Sequence, residues 1–118
     1  MKRRCLTLTE KFDVLEKTEW RCSYCGCDID IRSMVVDHFI SLHNHGTDDL
    51  DNLVPACRDC NYYKGGCSPD GFRKKLKRAF ARERKCDFVK RLEGKYAGWN
   101  GVFYFERITD GKGDGGDE

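Results

Sequence analysis

Apolar positions along this chain fall in short runs of different spacing, and the spacing predicts most of the elements. Phe12, Val14 and Leu15 follow Thr9, a hydroxyl residue suited to capping, which predicts a helix over about residues 9–18. The stretches "SMVVDH" and "LVPAC" are short and rich in β-branched or apolar residues and predict two strands. Between them, "FISLHNHGTDDLDN" is polar and turn-rich, hence a loop, and "RDCNYYKG" predicts a helix that stops at Gly65-Gly66. Ser68-Pro69 supplies an N-cap followed by proline at the first helical position. Phe72, Leu76 and Phe80 then recur at spacing four, and Phe88 and Leu92 continue after a break at Arg84, so one long or two short helices fill about residues 69–92. Asn100-Gly101 between the aromatic-rich runs of "KYAGWNGVFYFERI" predicts a C-terminal β-hairpin. Residues 109–118 are Gly/Asp-rich with almost no apolar content and are expected to form a disordered acidic tail.

Composition changes this picture in one respect. A chain of 118 residues holds one small domain, here expected over 1–108, and with 36% of positions charged its apolar core is thin. Domains of this kind recruit disulfides or a structural metal, and the eight cysteines offer both. The opening segment has no continuous apolar run resembling a signal peptide, and no stretch approaches the roughly 18 apolar residues of a membrane span. The expectation is a cytoplasmic protein with no membrane partner, in a reducing setting where thiolates bind metal. The net charge of +2 conceals a segregation: Leu53 to Lys95 carries 13 Lys/Arg against 5 Asp/Glu. That imbalance points to a polyanionic partner.

Cys22 and Cys25 form one Cys-x-x-Cys pair, and Cys57 and Cys60 form a second about thirty residues on. Two residues between thiolates let both sulfurs reach one ion, and zinc prefers four such soft ligands in a tetrahedron. The pairs therefore predict a structural Zn²⁺ site that clips an early loop to the start of the "CRDCN" helix. Cys27, one residue beyond Cys25's neighbour Gly26, makes a poorer chelate, and Cys5, Cys67 and Cys86 are expected to be free thiols.

From Cys22 to Gly65 the order Cys-x-x-Cys, Asp-His, a Gly/Asp-containing loop, Asn-Leu, Cys-x-x-Cys-Asn and Lys-Gly resembles the HNH endonucleases, the ββα-metal nucleases. The resemblance implies an α+β fold: a small zinc-stabilised treble-clef ββα-metal core at about residues 20–66, with flanking helices. It implies that His38 is the general base, that Asp37 and Asn61 supply oxygen ligands to a catalytic Mg²⁺ or Mn²⁺, and that Asn52 holds the loop after His38. By the same resemblance the activity would be hydrolysis of DNA phosphodiester bonds by nicking or double-strand cleavage.

The chemistry of these residue types agrees with such roles. An imidazole titrates near neutrality and can take a proton from water, while Asp and Asn offer the hard oxygen donors that magnesium and manganese prefer. Basic residues at helical spacing after the core, among them Arg73, Lys74, Lys77, Arg78 and Arg82, together with Lys64, form a candidate stripe for the phosphate backbone of DNA. His43 and His45 have no counterpart in the family pattern and are expected to be solvated loop residues. The competing reading is a zinc-stabilised nucleic-acid-binding module without catalysis.

Overall fold

The computed structural model describes residues 5–113, with side chains described to residue 108. It comprises helix α1 (Leu8–Glu16), strands β1 (Val35–His38) and β2 (Leu53–Ala56), and helices α2 (Arg58–Lys64), α3 (Pro69–Phe80), α4 (Asp87–Lys95) and α5 (Tyr104–Gly113). Mixed helix and a small sheet make the fold α+β. No described helix is long and apolar enough to cross a membrane.

The centre is a β-β-α unit. β1 and β2 pair antiparallel in the register Val35↔Ala56, Val36↔Pro55, Asp37↔Val54, His38↔Leu53, so both candidate site residues of β1 sit at its inner end beside β2. β2 runs through Cys57 directly into α2, which packs against β1. Ser23 joins the knuckle loop to this sheet: its N–H and hydroxyl both donate to the Pro55 carbonyl, at 3.0 and 2.7 Å. A proline carbonyl still accepts although proline has no N–H to donate, which makes Pro55 usable at this edge.

The caps explain where the helices begin. α1 starts earlier than the expected Thr9: Thr7 is the N-cap, in a capping box with Glu10. The helix buries Val14 and Leu15, but Phe12, expected on the inner face with Leu15, is 40% exposed and lies against Trp20. α3 starts as the sequence predicts, with the Ser68 hydroxyl accepting from Gly71 N–H and Pro69 in the first turn. The basic segment forms two helices, since α3 ends at Phe80 and α4 begins only at Asp87.

The C-terminal hairpin does not form, and the described sheet has two strands only. "KYAGW" ends α4, while Asn100-Gly101 makes a tight turn in which Asn100 Oδ1 accepts from Val102 N–H and Gly101 takes a φ of +95°. The chain then enters α5, with Glu106 accepting from Phe103 N–H at 2.8 Å. The backbone is helical to Gly113, into the segment expected to be disordered; the rest of that segment lies outside the described residues.

Burial of the aromatics around Tyr24 holds the C-terminal segment in place. Phe103 is fully buried and stacks on Phe72 with centroids 5.4 Å apart, and Tyr24 meets Phe72, Phe103 and Phe105 edge-on. Phe103, just before α5, and Phe105, in its first turn, both meet the Tyr24 ring, at 5.2 and 6.0 Å between centroids. Tyr104 N–H and Phe105 N–H then donate to the carbonyls of Tyr24 and Ser23, tying the chain end to the knuckle loop.

Candidate functional site

Two clusters lie along α2, one at its start and one further on. The first is built by the four paired cysteines. Cys57 is the N-cap of α2 and Cys60 lies in its first turn, while the loop after α1 brings in Cys22 and Cys25. The four sulfurs all lie within 4.8 Å of one another, and Cys25 and Cys57 are 3.9 Å apart. A tetrahedral ion with metal–sulfur bonds near 2.3 Å separates its ligands by about 3.8 Å, so this geometry fits a tetrathiolate site.

The surroundings fit it as well. N–H groups of Tyr24 and Cys60 point at the sulfurs of Cys22 and Cys57, and the Tyr96 hydroxyl is 3.0 Å from Cys60 Sγ. Thiol hydrogens from Cys22 and the other neighbours hold Cys57 far below an ordinary thiol, while the same crowding pushes Cys25 far above it. Without a cation the group cannot shed all its protons; a divalent ion relieves that conflict. Burial opposes charge on Lys95, but the neighbouring Cys57, Cys27 and Cys25 prevail and raise its ammonium above the usual value. All eight cysteines are free thiols, and Cys27 stays outside the group of four although it interacts with three of its members.

The second cluster joins the end of β1 to the rest of α2. Asp37 is 4% exposed, and three side chains converge on its carboxylate. The Tyr24 hydroxyl donates to Oδ2 at 2.6 Å, Lys64 Nζ lies 3.3 Å from Oδ2, and Asn61 Nδ2 donates to Oδ1 at 3.1 Å. Lys64 also donates to the His38 carbonyl. Burial, and then the Asp37 charge, push the Tyr24 phenol well above its ordinary value, so it remains a donor. His38 is 7% exposed, and its Nε2 lies 2.7 Å from Asp48 Oδ1. Asp37 and His38 line a cleft of about 170 Å³ together with Ser41, Leu42, Gly65 and Gly66.

The loop that carries Asp48 is fastened internally. Asn52 Oδ1 accepts from Ile40 N–H, and its Nδ2 donates to the carbonyls of Ile40 and Thr47, all within 2.9 Å. Asn44 crosses to the Gly66 carbonyl beyond α2. Gly46 sits so close that a Cβ there would lie 1.8 Å from the Ile40 carbonyl oxygen. His43 and His45 are exposed on this loop; His45, at φ +70°, caps a short turn by donating its backbone N–H to the Leu42 carbonyl at 3.1 Å.

Two members of the expected phosphate-binding stripe are not available to it. Lys64 is completely buried, because Asp37 and the His38 carbonyl need its ammonium inside. Arg73 is spent on both oxygens of Glu106, on Asp70 and on the Gly101 carbonyl, which clamps α3 to α5. Lys74, Lys77, Arg78 and Arg82 are exposed and carry no ion pair among the described residues. Sequence reasoning passed over Tyr24 and Asp48. Tyr24 lies between the paired Cys22 and Cys25, and Asp48 belongs to the acidic "DDLD"; a loop carboxylate ten residues after an Asp-His pair was the available signal.

Residues 22–66, which contain the four clustered cysteines and the entire β-β-α unit, match the family described as HNH endonuclease. Over 56 residues the chain is 30% identical to the CRISPR-associated endonuclease Cas9 of Corynebacterium diphtheriae, an alignment covering 47% of this chain and 5% of that protein. A crystal structure of the Type II-C Cas9 enzyme from Actinomyces naeslundii aligns over 80% of this chain and 13% of that one, with 19% identity and a TM-score of 0.44. The family match is confined to residues 22–66, and the whole chain spans a small fraction of the length of these relatives.

Proposed function

We propose that the chain is a metal-dependent HNH endonuclease that hydrolyses phosphodiester bonds in DNA. The observation that carries the reading is that His38 and Asp37 line one cleft and Asn61 hydrogen-bonds Asp37, within an HNH-matching segment. Asp37 and Asn61 would hold the ion through side-chain oxygens, the hard donors that magnesium and manganese prefer; as folded, Asn61 Nδ2 donates to Asp37 Oδ1 at 3.1 Å. Rotating the Asn61 amide presents its oxygen in place of its nitrogen. When bound, Mg²⁺ or Mn²⁺ would neutralise phosphate charge and ease departure of the 3′ oxygen.

The protein's own groups do the remainder. His38 takes a proton from the attacking water, a contribution of about 10²- to 10⁴-fold. Asn52 keeps the loop after His38 closed, and Tyr24 and Lys64 orient Asp37 from below. Cys22, Cys25, Cys57 and Cys60 hold a structural Zn²⁺ remote from the chemistry, and exposed Lys74, Lys77, Arg78 and Arg82 track the DNA backbone, so binding weakens steeply with salt. The products are a 5′-phosphate and a 3′-hydroxyl.

A second reading, a zinc-stabilised nucleic-acid-binding module without catalysis, is favoured by one contact. The Lys64 ammonium already supplies Asp37 with a positive charge, as a site that binds no second cation would require. Supercoiled plasmid incubated with magnesium or manganese separates the two. Cleavage by the wild type, lost in His38→Ala while DNA binding persists, supports the nuclease; binding without cleavage under either ion supports the module.

A further inference from the structure

The contact between His38 and Asp48 reaches beyond the roles considered so far. An ionised carboxylate is only an acceptor, so an Asp48 oxygen 2.7 Å from Nε2 requires the proton of neutral His38 to sit on Nε2. The lone pair is then on Nδ1, which makes no hydrogen bond among the described residues. A base needs that free lone pair, and the opposite tautomer would present a donor to the attacking water instead.

We propose that Asp48 is a positioning residue that fixes His38 in the Nε2–H tautomer and holds the ring in the plane that aims Nδ1 at substrate water. The surrounding loop is built to deliver it. Thr47, immediately before Asp48, has its carbonyl held by Asn52, and the same Asn52 amide grips both backbone groups of Ile40, two residues after His38. Gly46 N–H donates to the Ser41 carbonyl at 2.9 Å, in a turn too close for any side chain at that position. Asp48 therefore reaches His38 on a closed loop with little freedom to swing away, and its side chain is itself only 34% exposed. The catalytic consequence rests on the nuclease reading; the tautomer does not.

The test uses the zinc-loaded full chain, ¹⁵N-labelled, as wild type, Asp48→Asn and Asp48→Glu. Long-range ¹H–¹⁵N spectra of the neutral imidazoles report which ring nitrogen carries the proton, and single-turnover plasmid cleavage with manganese at saturating protein reports the chemical step. The wild type should show Nε2–H at His38. In Asp48→Asn the amide can donate to Nε2, so the Nδ1–H form should appear. The cleavage rate at saturation should then fall about 10²-fold or more with DNA affinity unchanged. Asp48→Glu should restore the wild-type tautomer and part of the rate. An unchanged tautomer in Asp48→Asn, or cleavage as fast as or faster than wild type, overturns the proposal. If the wild type fails to cleave with any divalent ion, the nuclease reading falls, and the spectra still decide what Asp48 does.

Discussion

The two clusters beside α2 solve opposite electrostatic problems with a helix of seven residues. Toward its start, Cys57 and Cys60 join Cys22 and Cys25, four like groups that repel one another once ionised and need an ion between them. Further along, Asn61 and Lys64 meet Asp37, and there donors and a cation already match the carboxylate. The first cluster could hold an ion that relieves this repulsion; the second is satisfied as folded by the chain's own groups. The two clusters thus differ less by residue type than by whether the protein satisfies its own charges.

Stripping the metal is the strongest way to break that contrast. Chelation, or Cys57→Ser, should remove on the order of 10 kcal/mol of folding free energy, more than a chain of this size holds, and circular dichroism should show the loss of cooperative unfolding. Native near-ultraviolet dichroism after complete zinc removal would mean that the aromatic core suffices and the contrast is wrong.

Next in size is Lys64→Ala, which leaves Asp37 buried without its counter-charge. It should cost about 3–5 kcal/mol in denaturant midpoint measurements, and adding Asp37→Asn should recover much of that loss. Strictly additive effects would show that the pair does not act as a unit. Tyr24→Phe removes one donor from the same carboxylate and should cost about 2 kcal/mol by the same assay, with the packing of the ring on Phe72 and Phe103 kept.

The smallest effect belongs to a partly exposed pair outside both clusters. Arg73 holds the Glu106 carboxyl below its ordinary 4.5, so the pair's contribution is present above that pH and is lost as pH falls through the folded-state value. Glu106→Gln should remove this acid-side slope from a plot of melting temperature against pH and change stability at neutrality by about 1 kcal/mol or less.

Local signals carried much of the architecture. The paired cysteines, Ser68-Pro69, the β-branched runs and the helix ending at Gly65 each act over a few residues, and each stands where the spacing predicts. The candidate site was legible as a set of residues: Asp37 and Asn61 touch, and His38 shares a cleft with Asp37. Illegible were the partners. Lys64 looked like a surface base in a basic run and is instead the most buried charge described; Arg73 looked alike and is a clamp on α5.

Sequence alone determined the two Cys-x-x-Cys pairs and the start of α3 at Ser68-Pro69, because the spacing of paired ligands and capping are decided among neighbours three or four residues apart. Tertiary structure decided that Asn100-Gly101 opens a helix, that Tyr24 and Lys64 meet on Asp37, and that Asp48 closes on His38. Those outcomes depend on burial, since in a low-dielectric interior an ion must find its counter-charge, and an aromatic ring its neighbours, wherever along the chain they happen to lie.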